Sequence, residues 1–598
     1  MAEEKKVILS LKDVEVKFNV RGRILTAIRG VSLDIFDHES LAIVGESGSG
    51  KSVLTKTFAG MLDSNGFISN GTIIFSDDDL SKTDVVLDSK LEAELASARD
   101  MLNKHSKLER GAGYYNKYLA KKDEIEHLQS LSKEEEEAYS KKIKDLTDKS
   151  VSLKNFIQTL DRKNAEDKAR MEASEAQVRE YEAQLEALSK EMTEKAKARA
   201  AEYQSQTEKV ASDKAELEKL LALSKEAAET VDVEGNPNGL SDAVLERNEI
   251  IAREIILSIG RYSARDQKKF LAILDKGFEE ACRIGRDLND PEVRNDIFDE
   301  ATFRVRYDSY DEATKTLHGY AIIDCAKVKR AGDWQQIRGR KIATVFQDPM
   351  TSLNPVITIG KQIMTVILKH QKCSQEEARK RTIDIMAKVG IPEPEQRFDD
   401  YPFQYSGGMR QRIVIAIALS CQPRILICDE PTTALDVTIQ AQILELIKQL
   451  QRDLGFTVVY ITHDLGVVAN VAERVAVLYA GQIVEIGTVE EIFYEPRHPY
   501  TWALLSSLPQ LSEKGTDLFS IPGTPPSLYN KIVGDAFAPR NQYAMAIDLK
   551  ETPPMFRITD THFARTWLCD PRAPKVDPPA NILDLHEKMK KSHVEIQD

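Results

Sequence analysis

One glycine-rich segment near the start of the chain has the residue types and spacing of a phosphate-binding loop. Four residues separate Gly45 from Gly50, and Lys51 and Ser52 follow directly. Glycines let backbone N–H groups approach phosphate oxygens closely at a helix N-terminus, where unpaired donors and the helix dipole favour an anion. The sequence therefore predicts a P-loop after the apolar strand Leu41–Val44. The residues expected to bind phosphate are Gly45, Ser47, Gly48, Gly50, Lys51 and Ser52.

Two carboxylates far along the chain complete this chemistry. The apolar strand Ile425–Cys428 ends in Asp429 and Glu430. We expect Lys51 to bridge the β- and γ-phosphates of a nucleotide. Ser52 and Asp429 are then placed to hold Mg²⁺, and Glu430 to polarise the attacking water. The combination predicts hydrolysis of ATP, with Mg²⁺ as the metal.

A third segment lies between these two parts of the chain. Tyr405-Ser-Gly-Gly-Met-Arg-Gln-Arg412 stands directly before an apolar helix, so Ser406 and two glycines form a second anion cradle at a helix start. With this segment the chain resembles the ABC ATPases. The resemblance implies that Ser406, Gly407 and Gly408 are the signature motif, which closes over the γ-phosphate of ATP bound to a partner subunit.

Four further positions match motifs of the same family. Gln347 resembles the Q-loop glutamine, which senses Mg²⁺ and nucleotide and contacts the transmembrane partner. Ala434-Leu435-Asp436 resembles the D-loop, and His463 resembles the switch histidine that contacts the γ-phosphate. Phe18 is the candidate for stacking on adenine. It is equally consistent with a core position in the strand Leu11–Phe18.

Longer stretches narrow the resemblance to the ATP-binding subunits, of the D type, of bacterial oligopeptide and dipeptide ABC importers. It covers about residues 7–77 and 334–574, including a C-terminal extension that general ABC ATPases lack. The stretches that carry it are the P-loop, Val345–Pro355, Arg497–Leu505 and Ile521–Pro526.

This resemblance implies a set of partners and a location. Two ATPase subunits, the second usually a paralogue, are expected under two transmembrane permeases, with an extracellular peptide-binding protein delivering cargo. ATP would be sandwiched between Lys51 of one subunit and Ser406–Gly408 of the other. The chain is expected at the cytoplasmic face of the bacterial cell membrane, as a peripheral protein.

One feature of many relatives does not fit this chain. They carry a four-cysteine iron–sulfur site in the C-terminal extension, whereas the comparable positions here are Asp535, Asn541 and Asp548, with Cys569 left. Because such clusters are held by cysteine thiolates, we expect no iron–sulfur cluster.

Composition limits the remaining possibilities. The chain has 598 residues, enough for two to four domains. A formal net charge of −14 argues against a nucleic-acid partner, because phosphate binding needs clustered Lys and Arg. Six cysteines without metal spacing fit a reduced cytosolic protein. The N-terminal residues lack the apolar region of a signal peptide, and the longest apolar run near the motifs, Ile413–Leu419, is too short to span a bilayer.

The expected fold is α/β: a P-loop ABC-type nucleotide-binding domain with an antiparallel β-subdomain, a long α-helical coiled-coil insertion, and an irregular C-terminal extension. The first part of the ATPase domain is expected at residues 1–77 and the second at 334–508. The insertion occupies 78–333, with a coiled-coil hairpin at about 88–232 and a small helical subdomain at about 240–300. The extension is expected at 509–598.

The helical arm is predicted from the residues between Tyr114 and Glu234, which include neither Gly nor Pro. Apolar residues there step by three and four, as in a coiled-coil seam, with polar interruptions at Thr207 and Lys214. If the chain reverses near Asp161–Asp167, two arms of similar length would reach roughly 100 Å. A single unpaired helix or a disordered tract are the alternatives. The seam residues are Met171, Ser174, Val178, Tyr181, Leu185, Leu188, Met192, Tyr203, Val210, Leu217 and Leu221.

The insertion raises a rival class of function. A coiled coil between P-loop and signature motif also describes ABC ATPases of the chromosome-organising and DNA-repair type. In those proteins the Q-loop glutamine lies before the coil, whereas Gln347 follows it. A ribosome-binding translation ATPase would show two P-loops, and this chain has one.

For the arm itself three hypotheses stay open: it docks a partner, it pairs with an arm on the other ATPase, or it is a tolerated spacer.

Overall fold

The computed structural model describes residues 5–157, 164–230, 239–299, 303–328, 331–433, 435–507, 521–579 and 582. The chain divides into two units. The first comprises residues 1–82, 301–304 and 320–598, and the second residues 83–300 and 305–319.

The bounds of the strands and helices follow the chain. The strands are β1 Val7–Val20, β2 Arg23–Phe36, β3 Ser40–Val44, β4 Gly66–Phe75, β5 Lys82–Val86, β6 Phe303–Asp311, β7 Thr316–Asp324, β8 Ile342–Val345, β9 Ile425–Asp429, β10 Thr457–Thr462, β11 Arg474–Tyr479, β12 Gln482–Thr488, β13 Phe556–Arg557 and β14 Phe563–Ala564. The helices up to residue 300 are α1 Lys51–Phe58, α2 Asp78–Ser81, α3 Ser89–Ser106, α4 Ala112–Gln129, α5 Lys133–Ile157, α6 Ala165–Ser205, α7 Thr207–Glu229, α8 Asp242–Ile259, α9 Ala264–Ile284 and α10 Pro291–Ile297. The later helices are α11 Ala331–Ile337, α12 Pro349–Ser352, α13 Ile359–His370, α14 Gln375–Lys388, α15 Pro394–Arg397, α16 Gly407–Leu419, α17 Val437–Leu454, α18 Leu465–Val471, α19 Val489–Tyr494 and α20 Pro499–Ser506.

The first unit is built on a mixed sheet in the order β13-β14-β12-β11-β3-β10-β9-β8. The five strands from β11 to β8 run parallel, and β12, β14 and β13 continue antiparallel at one edge. Every residue of β3 and β10 is buried, because both faces of a parallel sheet are covered. This is the α/β, largely parallel architecture expected from the sequence.

A second sheet of the same unit is antiparallel, as predicted for the β-subdomain. Strand β1 pairs with β2 on one side and with β4 on the other. The end of β7 extends this sheet, since Ile323 pairs with Phe75 and Asp324 with Ile74. Alternating residues of β1 are buried, which gives this sheet one core-facing side.

Helices cover the parallel sheet through apolar faces. The second half of helix α16, Ile413–Leu419, is apolar on all sides and mostly buried, as expected for a helix inside a core. Helix α17 buries one stripe, formed by Ile443, Leu444, Ile447 and Leu450. Among the described helices, none is long and apolar enough to cross a membrane.

The second unit contains a small helical core. Helix α3 packs against α8 and α9, and the Nδ2 of Asn248 donates to Asn103 Oδ1 at 2.9 Å. Residues Ser241 and Ser263 occupy the N-cap positions of α8 and α9, but neither side chain caps a backbone N–H.

The insertion also contains strands that were not predicted from the sequence. Strands β5 and β6 pair with β7. Alternation is visible in β6, where Phe303 and Val305 are buried while Arg306 is exposed. The expectation of an entirely helical insertion is therefore corrected: residues 303–324 form a β-hairpin.

The long helices of the second unit pack in antiparallel pairs, α5 against α6 and α4 against α7. Tyr139 Oη donates to Glu191 Oε1 at 2.8 Å, and Lys154 Nζ lies 2.7 Å from Glu182 Oε1. The predicted reversal at Asp161–Asp167 lies partly outside the described residues. Helix α3, which was expected in the arm, belongs to the helical core, so the rising arm begins at α4. Its roughly 46 residues would span ~70 Å rather than 100 Å.

Burial along α6 follows the predicted seam. Ser174 and Val178 are buried, the other seam positions of α6 up to Met192 are half-buried, and the residues between them are largely exposed. Thr207 and Lys214, the expected interruptions, are exposed. The structure shows long paired helices here.

Candidate functional site

The P-loop connects β3 to α1, and its backbone needs glycine. Gly45 has φ +153°, and a Cβ at this position would collide with the carbonyl oxygen of Leu478. Gly48 and Gly50 also have positive φ, at +80° and +105°. Helix α1 begins at Lys51, so the loop ends on unpaired backbone N–H groups. This is an anion-binding geometry.

The Lys51 side chain folds back into this loop. Its Nζ donates to the carbonyl oxygens of Gly45 at 2.7 Å and Glu46 at 3.0 Å. Burial lowers the pKa of Lys51, while the nearby carboxylates of Glu430, Asp429 and Glu46 act in the opposite direction. The ammonium is thus buried among acceptors at the start of α1.

The structure brings Ser52 and Asp429 together. The Ser52 hydroxyl donates to Oδ1 of Asp429 at 3.2 Å. Asp429 is the last residue of β9, and burial raises the pKa of its carboxyl, partly offset by the hydrogen bond from Ser52. A hydroxyl and a carboxylate at this distance are oxygen ligands of the kind that a hard divalent cation prefers.

Glu430, which follows β9, contacts side chains that follow the two neighbouring strands, β8 and β10. Its Oε2 accepts from Gln347 Nε2 at 2.9 Å, and its Oε1 lies 3.1 Å from His463 Nδ1. Gln347 lies two residues after β8, Glu430 directly after β9 and His463 directly after β10. Because β8, β9 and β10 are parallel neighbours, their carboxyl ends meet at one edge of the sheet.

Two features of Glu430 were not foreseen. Its φ is +45°, a left-handed conformation that is uncommon for a residue with a side chain. Its carboxylate also accepts from Thr433 Oγ1 at 3.0 Å. The sequence offered one signal for this contact: Thr433 lies three residues after Glu430, in the turn that follows β9. The carboxylate is therefore oriented by three different side chains.

The predicted signature residues occupy a separate position. Ser406 is the N-cap of α16, accepting from Met409 N at 3.4 Å, and both Ser406 and Gly407 are exposed. Gly408 faces α17, where a Cβ would come within 2.7 Å of Ile439 Cγ2. Among the described residues of this chain, no hydrogen bond or ion pair joins this segment to the P-loop.

The remaining candidates lie at the margins of the site. Asp436 caps α17, accepting from Ile439 N at 3.0 Å, whereas Ala434 lies outside the described residues. Ser47 and Gly48 are exposed at the tip of the P-loop. Phe18 is half-buried and pairs with Gly66, whose missing Cβ would lie 2.6 Å from the ring.

The three positions that the sequence analysis compared with an iron–sulfur site form turn contacts. Oδ1 of Asp535 accepts from Phe537 N at 3.0 Å, and Oδ1 of Asn541 accepts from Tyr543 N at 2.9 Å. Asp548 Oδ2 accepts from Met545 N at 2.6 Å. Each of these oxygens binds the backbone, which is how this loop holds its turns.

Comparison with known proteins gives consistent matches. A family model described as ABC transporter matches residues 28–253 and 312–433. A second, described as the C-terminal region of oligopeptide/dipeptide transporters, matches residues 484–547. The oligopeptide transport ATP-binding protein AmiE of Streptococcus pneumoniae is 65% identical over 258 residues, which is 43% of this chain and 73% of that protein.

Two further relatives show similar coverage. The oligopeptide transport ATP-binding protein OppD of Bacillus subtilis is 60% identical over 42% of this chain and 70% of its own length. The dipeptide transport ATP-binding protein DppD of Lactococcus lactis is 61% identical over 42% of this chain and 72% of its own length.

Proposed function

This chain belongs to the ABC transporter family, among its oligopeptide and dipeptide transport ATP-binding proteins, and we propose that it is the ATP-hydrolysing subunit that powers peptide import into a bacterial cell. The observation that carries the proposal is the meeting of the P-loop with the end of β9. Ser52 and Asp429 are 3.2 Å apart there, and the adjacent Glu430 binds Gln347 and points to His463.

The P-loop residues bind the phosphates of ATP in this proposal. Backbone N–H groups at the start of α1 supply fixed donors. Lys51 exchanges its two carbonyl acceptors, Gly45 and Glu46, for phosphate oxygens. Those oxygens carry charge, and a charge-assisted hydrogen bond is roughly twice as strong as a neutral one. The exchange therefore favours the nucleotide-bound loop.

Ser52 and Asp429 are the residues that would hold Mg²⁺. Gln347 lies nearby, because it donates a hydrogen bond to Glu430, the residue that follows Asp429. The ion supplies positive charge that neutralises the phosphate oxygens during transfer. Asp429 is suited to this position because its half-buried carboxylate has, among the described residues, one hydrogen-bond partner, the Ser52 hydroxyl at 3.2 Å. A cationic partner would favour its ionised form.

Glu430 orients and polarises the attacking water. Its carboxylate is held by Gln347 and Thr433 and contacts His463, which contacts the γ-phosphate in turn. A carboxylate fixed in this way loses little freedom when a water binds, so positioning contributes to the rate. Phe18, in the antiparallel sheet, stacks on adenine.

A second ATPase subunit, a paralogue of this chain, completes the site. Ser406, Gly407 and Gly408 at the start of α16 close over the γ-phosphate of ATP bound to that subunit; the first two are exposed and Gly408 is half-buried. Asp436 lies across the same interface. The exposure of Ser406, Gly407 and Asp436, with no hydrogen bond or ion pair to the P-loop among the described residues, supports this arrangement.

The transport partners follow from the proposed family role. Two permease subunits in the membrane receive the ATPase pair, and an extracellular peptide-binding protein delivers cargo to the permeases. The chain works at the cytoplasmic face of the membrane as a peripheral subunit. Its net charge of −14 gives no support to a nucleic-acid partner. The rival function, a chromosome-organising or DNA-repair ATPase, is not favoured, because the relatives named above are peptide transport proteins.

We further propose that the long helices of the insertion form a coiled-coil arm. The burial of Val178 and Ser174, with half-buried Leu185 and Leu188 along the same face of α6, supports a seam against α5. The half-buried state of most seam residues leaves apolar surface that suits a further helix from a partner.

Reconstitution tests the function directly. The full chain is expressed in its host with an affinity tag, co-purifying membrane chains are identified, and the complex is placed in vesicles with labelled peptides. Wild type should transport peptide only with ATP, and Lys51→Ala should not. Lys380→Ala, an exposed lysine on α14, is the matched control and should behave as wild type. Transport that is indifferent to ATP and to Lys51 would rule the proposal out.

A further inference from the structure

Glu46, the second residue of the P-loop, is held by two residues from the far end of the chain. Its backbone N–H donates to the Tyr500 hydroxyl at 2.7 Å. Its carboxylate accepts two hydrogen bonds from the Arg540 guanidinium, at 2.7 Å from Nη1 to Oε2 and 3.0 Å from Nη2 to Oε1. A bidentate pair of this kind fixes orientation as well as distance, because both groups are planar.

Arg540 is itself fixed. Its side chain is only 5% exposed, its Nε donates to the Pro522 carbonyl at 2.8 Å, and its Nη1 also donates to Tyr479 Oη at 3.2 Å. The hydrogen bonds to Glu46 raise the pKa of Arg540 above its ordinary value. The guanidinium is therefore a permanent charge that cannot easily turn away from the P-loop.

Tyr500 is equally constrained. It is fully buried, and its ring lies 4.5 Å from that of Tyr479 and 5.3 Å from that of Phe537, centroid to centroid. Phe537 lies just before the turn that contains Arg540. The Tyr500 hydroxyl and the Arg540 guanidinium, which both bind Glu46, are thus positioned by the same aromatic cluster.

Glu46 in turn shapes the rest of the P-loop. Its carbonyl oxygen accepts from Ser49 N at 3.2 Å, closing the turn, and from Lys51 Nζ at 3.0 Å. Its carboxylate is close enough to act on the charge of Lys51. A loop with several glycines loses much conformational freedom when it binds a ligand, so prior restraint raises affinity.

We propose that Arg540 and Tyr500 are positioning residues for nucleotide binding, which hold Glu46 and thereby keep the P-loop in its phosphate-binding shape. Arg540 has a second effect, because it neutralises a carboxylate that would otherwise repel the phosphates of ATP. The C-terminal extension is therefore part of the nucleotide site. This inference rests on the proposed function, since it assigns a role in binding ATP.

The charges of Arg540 and Glu46 allow an effect on ATP binding to be distinguished from a loss of stability. Arg540→Ala leaves an unpaired carboxylate beside the phosphate site, so ATP affinity should fall about tenfold or more. Glu46→Gln removes the repelling charge and should cost less. The double variant should bind ATP better than Arg540→Ala alone, a recovery that simple loss of packing would not give.

The test uses the full chain and equilibrium binding of a fluorescent ATP analogue, with the melting temperature of each variant measured without nucleotide. Steady-state ATPase of the transporter complex should show a raised KM for ATP with kcat changed less than about twofold, because a positioning defect is overcome at saturation. Arg540→Lys should fall between wild type and Arg540→Ala. Arg572→Ala, an exposed residue of the same extension, is the control and should match wild type.

Wild-type affinity in a folded Arg540→Ala protein would overturn the inference. If that variant does not fold, Tyr500→Phe and Glu46→Gln decide the question: Tyr500→Phe removes only the hydroxyl that receives Glu46 N–H, and unchanged affinity in both would overturn it. Lys51→Ala in the same assay distinguishes a failure of this inference from a failure of the proposed function. Loss of binding in Lys51→Ala beside wild-type binding in the Arg540 series would defeat this inference alone, and equal binding by Lys51→Ala and wild type would defeat the proposed function.

Discussion

The hydroxyl of Ser52 lies 3.2 Å from Oδ1 of Asp429, although the two residues are 377 positions apart in the chain. The contact joins the start of α1 to the end of β9. Strand β3, which leads into the P-loop, and strand β9 both pair with β10, so the sheet itself brings the two ends together. The insertion between them does not separate the parts of this site.

Asp429→Asn should weaken the binding of Mg²⁺ and so raise the Mg²⁺ concentration that the enzyme needs. The amide keeps the shape of the side chain but loses the charge that a divalent cation prefers. We expect the Mg²⁺ concentration for half-maximal ATPase to rise about tenfold or more. Asp453→Asn, exposed at the end of α17, is the control. An unchanged Mg²⁺ dependence would exclude Asp429 as a ligand.

His463→Ala should lower kcat without a comparable loss of ATP binding. His463 Nδ1 lies 3.1 Å from Glu430, and its side chain is 61% exposed, so its removal should disturb the fold little. We expect kcat to fall about 100-fold, the scale of a lost catalytic group. Phosphate release and nucleotide binding are measured on the same preparation, with His127→Ala as control. A purely structural role would instead lower the melting temperature and leave kcat intact.

The sequence predicted much of this architecture because its signals are local. Strand-ending residues such as Gln347, Glu430 and His463 could be expected at one sheet edge, since parallel strands meet there. The structure brings these side chains together. Long runs without Gly or Pro predicted the helices of the insertion in the same way.

Contacts between distant segments had no such signal. Tyr500 and Arg540 meet Glu46 from positions more than 450 residues away, and no spacing rule links them. The pair β6 and β7 was missed for another reason: the alternation in β6 is short, since it runs from Phe303 to Tyr307 and ends at the two exposed residues Asp308 and Ser309. Tertiary packing, rather than local preference, decides both cases.

Stability should respond to pH through Asp535. Burial raises the pKa of its carboxyl from 3.8 to about 6, with Asp548 adding to the rise and Arg29 opposing it. Between pH about 4 and 6 the folded state binds more protons than the unfolded state, so the free energy of unfolding falls as pH rises through this window. Above about pH 6 the buried, ionised carboxylate of Asp535 lowers the free energy of unfolding by about 3 kcal/mol.

Asp535→Asn should remove that cost. The amide oxygen can still accept from Phe537 N, as Oδ1 of Asp535 does at 3.0 Å. The variant should be more stable than wild type at pH 8, and the difference should shrink towards pH 4. Thermal unfolding across this range is the measurement, and Asp560→Asn, at a highly exposed position, is the control. A difference that is constant with pH would refute the assignment.

Removal of the outer arm tests the three hypotheses for its role. Replacing Lys133–Ser205 by a short Gly/Ser linker deletes α5 and α6 but keeps α4 paired with α7, where Lys121 Nζ lies 3.1 Å from Asp213. The ATPase activity of the purified complex should persist, because every residue that this chain contributes to the site lies in the other unit. Full ATP-driven peptide uptake by the shortened chain would leave only the spacer hypothesis. Reduced uptake with normal ATPase would indicate a partner or a second arm.

Glu430→Gln is the most direct test of the central claim, that distant segments build one ATP-hydrolysing pocket. The amide keeps the size of the side chain but cannot polarise water as a carboxylate does. We predict that the variant retains ATP while turnover falls at least about 100-fold, trapping a closed pair of ATPase subunits. Glu445→Gln, exposed on α17, should hydrolyse ATP as wild type does. Equal turnover by wild type and Glu430→Gln, measured as phosphate release from the purified complex, would contradict the account.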